Sequence, residues 1–307
     1  MSRPVVSFAA GVVRVTVPAT SANLGPGFDS LGLALGLRDT LEAEVLDSGL
    51  VVEVSGAGSQ DVPRDESHLV VRAMRALFDL VGEQPPGLRL ACENVIPHAR
   101  GLGSSSAAIV AGLVLARGLV AGGALLVDDD AVLDLAARIE GHPDNVAPAF
   151  LGGFVVSGQD EDGAFYAVPA PVDPRVGAVV LVPPTPVSTE AARGLLPASV
   201  PHADAAADAG RAALLVAALG GRPEHLLRAT RDYLHQSYRR PAMPESLDLV
   251  DALRADGVPA VVSGAGPTVL AFTDGPEGPL TEAVLARCPE GWWASYLPVE
   301  TSGAVLV

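Results

Sequence analysis

A glycine- and serine-rich segment in the first half of the chain combines residue types that bind phosphate. Gly101 and Gly103 allow the backbone to approach a ligand closely, and three serines follow where a long apolar helix is predicted to begin. The first N–H groups of a helix have no partner within it, so this arrangement favours an anion. The alternative is a flexible loop whose serines only cap the helix. The candidate phosphate-binding residues are Pro97, His98, Ala99, Arg100, Gly101, Leu102, Gly103, Ser104, Ser105, Ser106 and Ala107.

The same segment partly matches the dinucleotide-binding fingerprint G-x-G-x-x-G. Ser106 stands at the third glycine position, and no acidic residue follows about 20 positions later. A nicotinamide-dependent oxidoreductase is therefore a much weaker interpretation than a phosphate site.

A second cluster places two acids, an imidazole and an amide within six residues: Glu140, His142, Asp144 and Asn145. Carboxylate oxygens such as those of Glu140 and Asp144 suit Mg²⁺ beside phosphates better than a lone histidine suits zinc. The alternative is that Asp144 or Asn145 caps a helix that begins near Val146. The two roles are compatible, and both stay open.

Two other turns and three arginines are further candidates for ligand contact. Residues 18–29 are predicted to form a polar loop after the first strand, and ligand contact and a simple turn are equally good interpretations of it. Residues 263–268 form a glycine-rich turn, which alone indicates a tight connection between strands. Arg193 and the pair Arg239-Arg240 have the side chains that clamp carboxylates, although surface arginines are usually only solvated.

Composition excludes several classes of function. The 307 residues carry a net charge of −16, and all 20 basic side chains are arginines, so the chain contains no lysine. Walker-type phosphate loops and Schiff-base mechanisms both require lysine. The acidic balance argues against nucleic acid and against an anionic membrane surface as partners.

The cysteines and the N-terminus predict a reduced, cytoplasmic protein. Cys92 and Cys288 are far apart, so neither a disulfide framework nor a cysteine zinc site is expected. Arg14 interrupts the apolar run over residues 5–13, and no clear cleavage site follows. The apolar stretch over residues 109–127 contains Arg117 and ends in a glycine pair, which predicts a buried helix followed by a turn.

The coarse pattern predicts an α+β protein with two domains, because strands and helices follow each other in both halves. A helix is predicted after Ser67, which would cap it, and a boundary is expected near residues 158–173, where Gly, Asp and Pro cluster. Further helices are predicted around residues 189–196 and 224–234.

Taken together, the ordered segments resemble the GHMP small-molecule kinases. PATSANLGPGFDSLG comes first, PxxxGLGSS follows, and SGAGPTV stands near the C-terminus, so the resemblance covers essentially the whole chain. Residues 21–29 (SANLGPGFD), 140–148 (EGHPDNVAP) and 188–193 (STEAAR) are most similar to the branch that phosphorylates L-homoserine for threonine synthesis. The resemblance implies an N-terminal ATP-binding domain over residues 1–165, similar to the second domain of ribosomal protein S5. It also implies a ferredoxin-like domain over residues 166–307.

The resemblance also implies roles for individual residues. The glycine- and serine-rich segment would wrap the phosphates of ATP, and Ser105 and Glu140 would hold Mg²⁺. Since Ser106 stands where the family commonly has alanine, which of Ser104 to Ser106 meets the metal stays open. The turn over residues 263–268 would support the phosphate loop. The residues expected around the amino acid are Asn23, Asp29, His142, Asn145, Arg193 and Arg239, with the arginines on its carboxylate and Asp29 near its ammonium.

For catalysis, the resemblance implies Asp144, Asn145, Thr189 and Arg193, with Thr189 near the transferred phosphate. Asp144 is a candidate to accept or relay the proton. Mevalonate-type relatives pair a lysine with a catalytic aspartate, and the absence of lysine favours the homoserine branch. Another acceptor alcohol and a non-catalytic small-molecule binder are the alternatives. Members of the family are often homodimers, and that expectation rests on the resemblance alone.

Overall fold

Groups of strands and groups of helices follow each other along the chain in the predicted α+β arrangement. The computed structural model describes residues 6 to 307, so Val5, where the N-terminal apolar run begins, lies outside the described residues. The first elements are β1 (Val13–Asn23), β2 (Gly27–Leu46), β3 (Gly49–Gly56), α1 (Leu69–Val81), β4 (Gly87–Asn94), α2 (Ser104–Leu119), α3 (Gly123–Leu126), α4 (Asp129–Glu140), α5 (Pro143–Leu151), β5 (Phe154–Gln159) and β6 (Phe165–Ala170).

The later elements are β7 (Gly177–Val182), α6 (Thr189–Arg193), α7 (His202–Leu219), α8 (Leu226–Ala229), α9 (Pro244–Ala255), β8 (Ala260–Val262), β9 (Val269–Thr273), α10 (Pro279–Leu285), β10 (Trp293–Leu297) and β11 (Val305–Leu306). Two 3-10 turns lie at Pro223–His225 and Ser237–Ala242.

Seven strands form the larger sheet, with β2 at its centre. The order is β11-β1-β2-β4-β3, and β5 pairs with both β2 and β6. β3 and β4 run parallel, whereas the other neighbouring pairs are antiparallel. β2 is 20 residues long because residues 31–33 pair with β5 and residues 40–46 pair with β4.

Four antiparallel strands form the smaller sheet, in the order β10-β7-β9-β8. Since β6 still pairs with β5, the change from one sheet to the other lies between Ala170 and Gly177. After β10 the chain returns to the larger sheet, where β11 pairs with β1. The domain boundary after residue 165 stays a prediction. Because β6 belongs to the larger sheet, the strand pairing favours a boundary after β6.

α2 is the buried central helix of the larger half. It packs against β1, β2, α1, α4 and α5, and every residue from Ile109 to Ala116 is buried. A helix surrounded on all sides is apolar all round, which explains why this stretch has nearly the hydropathy of a membrane span. α2 ends at Leu119 and a turn follows, as predicted. Among residues 6 to 307, no helix is long and apolar enough to cross a membrane.

Residues 18–29 form a strand, a tight turn and a second strand, so the predicted loop is wrong. β1 continues to Asn23, and residues 19–22 pair with residues 32–35 of β2. This long-range pairing satisfies backbone groups that local turn preferences leave open. The turn places Asn23, Leu24 and Asp29 at positive φ of 66°, 51° and 54°. The polar residues of the segment are thereby held on a rigid hairpin.

The helix predicted over residues 224–234 is wrong in its second half. A 3-10 turn at Pro223–His225 leads into α8, which ends at Ala229. The Asp232 carboxylate then accepts hydrogen bonds from the N–H groups of residues 234–236. An aspartate that binds nearby backbone N–H groups competes with helical hydrogen bonding, so the helix cannot continue.

Two predicted helix ends also differ from the structure. Ser67 does not cap α1, because its hydroxyl donates to Asp65 at 2.5 Å and His68 is the N-cap residue. Ser188 caps α6 through its side chain. α6 ends at Arg193, three residues before the predicted end at residue 196.

Candidate active site

The segment between β4 and α2 requires glycine at two positions. Gly101 and Gly103 have φ of 76° and 69°. A Cβ at Gly101 would lie 2.3 Å from the Ser263 carbonyl oxygen, and one at Gly103 would lie 1.9 Å from Thr20 Oγ1. Gly103 is the N-cap of α2 and makes no side-chain cap, so the first N–H groups of the helix stay available to an anion. The alternative in which a serine is the capping residue is therefore wrong.

The turn over residues 263–268 packs directly against this segment. The Ser263 hydroxyl lies 2.6 Å from the Gly101 carbonyl oxygen and 2.8 Å from Ser21 Oγ. The Thr268 N–H donates to the Arg100 carbonyl oxygen at 3.2 Å. The turn connects β8 and β9, so the smaller sheet contributes to holding the glycine- and serine-rich segment in place.

Two serine hydroxyls at the start of α2 converge on one carboxylate. Ser105 Oγ and Ser106 Oγ donate to the same oxygen of Glu140, Oε1, at 2.7 and 2.9 Å. Ser105 is exposed, whereas Ser106 is buried. Oxygen donors of this kind suit Mg²⁺, which usually keeps several waters and phosphate oxygens as ligands. Within residues 6 to 307, no group of three or more His, Cys, Asp or Glu side chains is placed to share a metal ion.

His142 and Asp144 form a close pair beside Glu140. Asp144 is 1% exposed, and one of its oxygens lies 2.6 Å from His142 Nδ1. Burial by itself would lower the pKa of His142, but the hydrogen bond to Asp144 and the charges of Asp144 and Glu140 outweigh it and raise that pKa. Asp144 and Asn145 lie within α5, which has His142 as its N-cap and no side-chain cap. The capping interpretation of these residues is therefore wrong.

Two asparagines tie neighbouring elements together at the site. Asn145 Oδ1 accepts a hydrogen bond from Thr20 Oγ1 at 2.8 Å. The buried Asn23 accepts from the Asp29 N–H and donates to the Gly264 carbonyl oxygen, each at 3.0 Å. Asn23 thus bonds the β1–β2 hairpin to the turn between β8 and β9.

Arg193 and Asp29 form a two-pronged ion pair. Arg193 Nη2 donates to Oδ1 at 2.6 Å and Nη1 donates to Oδ2 at 3.1 Å. The side-chain bond to Asp29 is the largest influence on the Arg193 guanidinium and raises its pKa. The Cζ atoms of Arg193 and Arg239 lie 5.4 and 5.8 Å from the centroid of the Phe28 ring. Phe28 therefore links two arginines that are 46 residues apart in the sequence.

Arg239 is buried, whereas its neighbour Arg240 is not part of the site. Arg239 Nη1 donates to the Gly264 carbonyl oxygen at 2.8 Å and to His235 Nδ1 at 3.1 Å. Burial, followed by the charge of Arg193, lowers the Arg239 pKa to about 10. Arg240 instead pairs with Asp248 and Asp251 on α9.

A cavity of about 470 Å³ brings the candidate residues together. Those that line it are Asn23, His98, Ala99, Arg100, Gly101, Gly103, Ser104, Ser105, Glu140, His142, Asp144, Asn145, Thr189, Arg193 and Arg239. Pro97, Leu102, Ser106, Ala107 and Asp29 do not line it, and Leu102 and Ala107 belong to the hydrophobic core. Any contact of Leu102 and Ala107 with a ligand must therefore come from the backbone.

Sequence reasoning missed several other residues that line the same cavity. Leu41, Leu69 and Cys92 line it with Asp39 and His68. His68 is buried, and its Nδ1 has no hydrogen-bond partner among the described residues. Burial and the charge of His98 lower the pKa of His68. These residues are scattered over the first half of the chain, so no local motif indicates them.

Phe28 and His235 were also missed. Phe28 stands in the SANLGPGFD segment, where an aromatic among polar residues was the only available signal. His235 directly follows the helix that is predicted over residues 224–234. Nothing in its sequence surroundings marks it as part of the site.

The chain matches two family models. One is described as the GHMP kinases N terminal domain and matches residues 68–153. The other is described as GHMP kinases C terminal and matches residues 212–288, so together they cover more than half of the 307 residues. The chain belongs to the GHMP kinase family. The N-terminal match includes the glycine- and serine-rich segment and Glu140, and the C-terminal match includes Arg239 and the turn over residues 263–268.

Individual GHMP kinases are similar to the chain over nearly its full length. It is 58% identical over 301 residues to a protein named homoserine kinase from Streptomyces coelicolor, covering 98% of this chain and 96% of that one. A homoserine kinase from Streptomyces avermitilis is 58% identical over 298 residues, covering 97% and 96% of the two chains. The crystal structure of homoserine kinase from Cytophaga hutchinsonii matches with a TM-score of 0.82 at 25% identity, covering 98% of this chain and 99% of that one.

Proposed function

We propose that the protein transfers the γ-phosphate of ATP to the side-chain hydroxyl of L-homoserine, and that the product O-phospho-L-homoserine feeds threonine biosynthesis. The observation that carries the proposal is the juxtaposition of Arg193 and Arg239 with the start of α2 in one cavity. An anion-binding helix start suits a nucleotide, and paired arginines suit a carboxylate. The two Streptomyces relatives, both named homoserine kinase, support this assignment.

Recognition of the amino acid follows from the charges at one end of the cavity. L-homoserine carries a carboxylate, an ammonium group and a hydroxyl. Arg193 and Arg239 bind the carboxylate, because guanidinium N–H groups match its two oxygens. Asp29 does not itself line the cavity but pairs with Arg193, which does, and we assign the ammonium group to its carboxylate. The backbone N–H of Asp29 is held by the side chain of Asn23. His142 and Asn145 line the same cavity, and we assign them to the amino-acid pocket as well.

The phosphates of ATP lie against the segment from Pro97 to Ala107. Its glycine backbone and the first N–H groups of α2 donate to phosphate oxygens. Ser105 and Glu140 would hold Mg²⁺ through their hard oxygen atoms, and Ser106 is held by the same carboxylate. When bound, Mg²⁺ neutralises charge on the transferred phosphoryl group.

We assign the base and ribose of ATP to the part of the cavity lined by Leu41, Leu69 and Cys92. Burial of an aromatic base against apolar side chains is favourable, and polar groups at its edge orient it. The unpartnered Nδ1 of His68 is such a group.

Positioning accounts for most of the proposed catalysis. Phosphoryl transfer has a loose transition state and needs little covalent help, so alignment of the hydroxyl with the γ-phosphate is the main requirement. Thr189 and Arg193 on α6 line the cavity, and we assign them to the place of transfer, while Asn145 is held by Thr20. Since the chain has no lysine, Asp144 is our candidate to accept or relay the hydroxyl proton.

The test is Mg²⁺-dependent release of ADP from ATP with L-homoserine, L-serine, L-threonine, mevalonate or no acceptor. We expect strong stimulation by L-homoserine alone. Glu140→Gln is the control for release by a contaminating kinase, because it should remove most of the activity. Release with another alcohol would keep the phosphotransferase and reject the amino-acid pocket. Release with none would favour a non-catalytic binder.

Two further statements stay proposals. A cytoplasmic location agrees with a nucleotide substrate and with Cys92 and Cys288, which are both unpaired. A homodimer stays a prediction from the family resemblance, and light scattering on the purified protein tests it.

A further inference from the structure

His235 is a buried histidine that contacts three parts of the proposed substrate site. Its ring stacks on Phe28, with centroids 5.2 Å apart and planes at 30°. Nε2 lies 2.7 Å from the Gly25 carbonyl oxygen, and Nδ1 lies 3.1 Å from Nη1 of Arg239. The side chain is 0% exposed. One imidazole therefore joins the β1–β2 turn to the buried arginine.

These two hydrogen bonds determine where the imidazole proton lies. A carbonyl oxygen only accepts, so Nε2 carries the hydrogen and donates it to Gly25. A guanidinium only donates, so Nδ1 must offer its lone pair to Arg239. Asp232 Oδ1 is 3.4 Å from Nε2 and favours the charged form, but burial is the larger effect and lowers the His235 pKa. The neutral Nε2–H tautomer satisfies both contacts.

Arg239 is held by neutral acceptors. Its Nη1 donates to the Gly264 carbonyl oxygen and to His235, and within residues 6 to 307 it forms no hydrogen bond to a carboxylate. Its Nε has no partner among the described residues. A carboxylate partner would compete with a substrate for the guanidinium, whereas neutral acceptors fix its position and leave its charge and other N–H groups to a ligand.

We propose that His235 is a positioning residue that, as the neutral Nε2–H tautomer, fixes the Arg239 guanidinium and the Phe28 ring for binding of the substrate carboxylate. This rests on the proposed function in one respect, namely that Arg239 binds L-homoserine. His235 itself touches protein groups and acts through Arg239.

Two amide substitutions separate the two contacts of the ring. The amide of asparagine reaches the place of Nδ1 and keeps an acceptor for Arg239, whereas that of glutamine reaches the place of Nε2 and keeps a donor for Gly25. We expect His235→Gln to raise the KM for L-homoserine by about tenfold, and His235→Asn by less than about threefold. The KM for ATP should change by less than about twofold in both. Equal impairment of the two variants, or a parallel rise in the KM for ATP, would overturn the proposal.

A double variant tests whether His235 acts through Arg239. If it does, His235→Gln combined with Arg239→Ala should have no higher KM for L-homoserine than Arg239→Ala alone. Independent, multiplying increases in KM would show that His235 supports the site in another way and would contradict the proposal.

A spectroscopic measurement keeps the inference testable if a variant fails to fold. Nitrogen-15 NMR of the wild-type protein at neutral pH should show the His235 ring protonated at Nε2 and unprotonated at Nδ1. Since the chain has 6 histidines, the signal is assigned in the wild-type protein by through-space contacts of the imidazole with the Phe28 ring that stacks on it. A proton on Nδ1 would overturn the inference even in an active enzyme. Absence of L-homoserine phosphorylation by the wild-type protein would instead reject the proposed function, so the two failures are distinguishable.

Discussion

The Arg193 guanidinium and the Asp29 carboxylate bind each other across the boundary between α6 and the β1–β2 hairpin, through bonds of 2.6 and 3.1 Å. Their side chains are 35% and 37% exposed, and ion pairs with this access to water contribute little to stability. An amino acid offers a carboxylate to the guanidinium and an ammonium group to the carboxylate. Under the proposed function, its binding would therefore exchange one weak ion pair for two.

Removal of Arg193 should weaken binding of the amino acid far more than binding of the nucleotide. We expect Arg193→Ala to raise the KM for L-homoserine on the order of 10- to 100-fold, because a charge-assisted pair of hydrogen bonds is lost. Steady-state kinetics with each substrate varied in turn measures this. Arg287→Ala, which removes a surface ion pair with Asp256, is the control and should leave both KM values unchanged. An equal rise in the KM for ATP would contradict the assignment.

Glu140 should be required for use of the metal. Glu140→Gln should lower kcat on the order of 100-fold and raise the Mg²⁺ concentration needed for half-maximal rate, because a neutral amide binds the cation poorly. Titration of activity with Mg²⁺ measures both effects. An unchanged Mg²⁺ requirement would remove Glu140 from the proposed site.

Ser105 and Ser106 bond to the same oxygen of Glu140, and their exposure separates their expected roles. Ser105 is exposed at the cavity, so Ser105→Ala should raise the Mg²⁺ requirement. Ser106 is fully buried, so Ser106→Ala should mainly lower the melting temperature. The reverse pattern would assign the metal to Ser106.

Gly103 should not tolerate a side chain. A Cβ there would meet Thr20 Oγ1 at 1.9 Å, and its φ of 69° is strained for alanine. Gly103→Ala should destabilise the protein by more than about 2 kcal/mol and weaken ATP binding, because the start of α2 must shift. Gly210→Ala is the matched control: a Cβ there meets nothing within 4 Å, and alanine within α7 should stabilise by about 0.5 to 1 kcal/mol. Thermal unfolding with and without ATP compares the two variants. Equal melting temperatures and equal stabilisation by ATP would contradict the backbone geometry described at Gly103.

Asp39 should make stability depend on pH in the weakly acidic range. Burial raises its pKa from 3.8 to about 6, against the opposing bonds from the Ile96 and Val95 N–H groups. Between these values the folded protein holds a proton that the unfolded chain has lost, so the free energy of unfolding falls as pH rises from about 4 to about 6. Above about pH 6 the decrease in the free energy of unfolding is complete and on the order of 3 kcal/mol.

Asp39→Asn should remove this dependence. Relative to the wild type, its free energy of unfolding should rise between pH 4 and pH 7, as measured by urea unfolding without nucleotide. Both hydrogen bonds from the backbone reach one oxygen, Oδ1, which asparagine retains. A constant difference between the two proteins at all pH values would show that folding leaves the pKa of Asp39 unchanged and would contradict the prediction.

Elements with strong local signals were predicted well. The apolar run of α2 and the glycines before it follow from periodicity and from residue types that few other structures accept. The end of α8 was missed because a single carboxylate, Asp232, competes for backbone N–H groups. The extension of β1 through Pro18 to Asn23 was missed because it depends on pairing with β2, which turn preferences do not reveal.

The sequence by itself determined the glycine- and serine-rich segment, the absence of any lysine base and the resemblance to a kinase family, because these depend on residue type and short-range spacing. Only the tertiary structure decided which side chains meet. Asn23 and Gly264 are 241 residues apart and share a hydrogen bond, and His235 reaches Gly25 across 210 residues. Such contacts arise from the packing of the hairpin against the smaller sheet. That packing sets the hydrogen-bond partners of His235, the burial of Arg239 and the shape of the cavity.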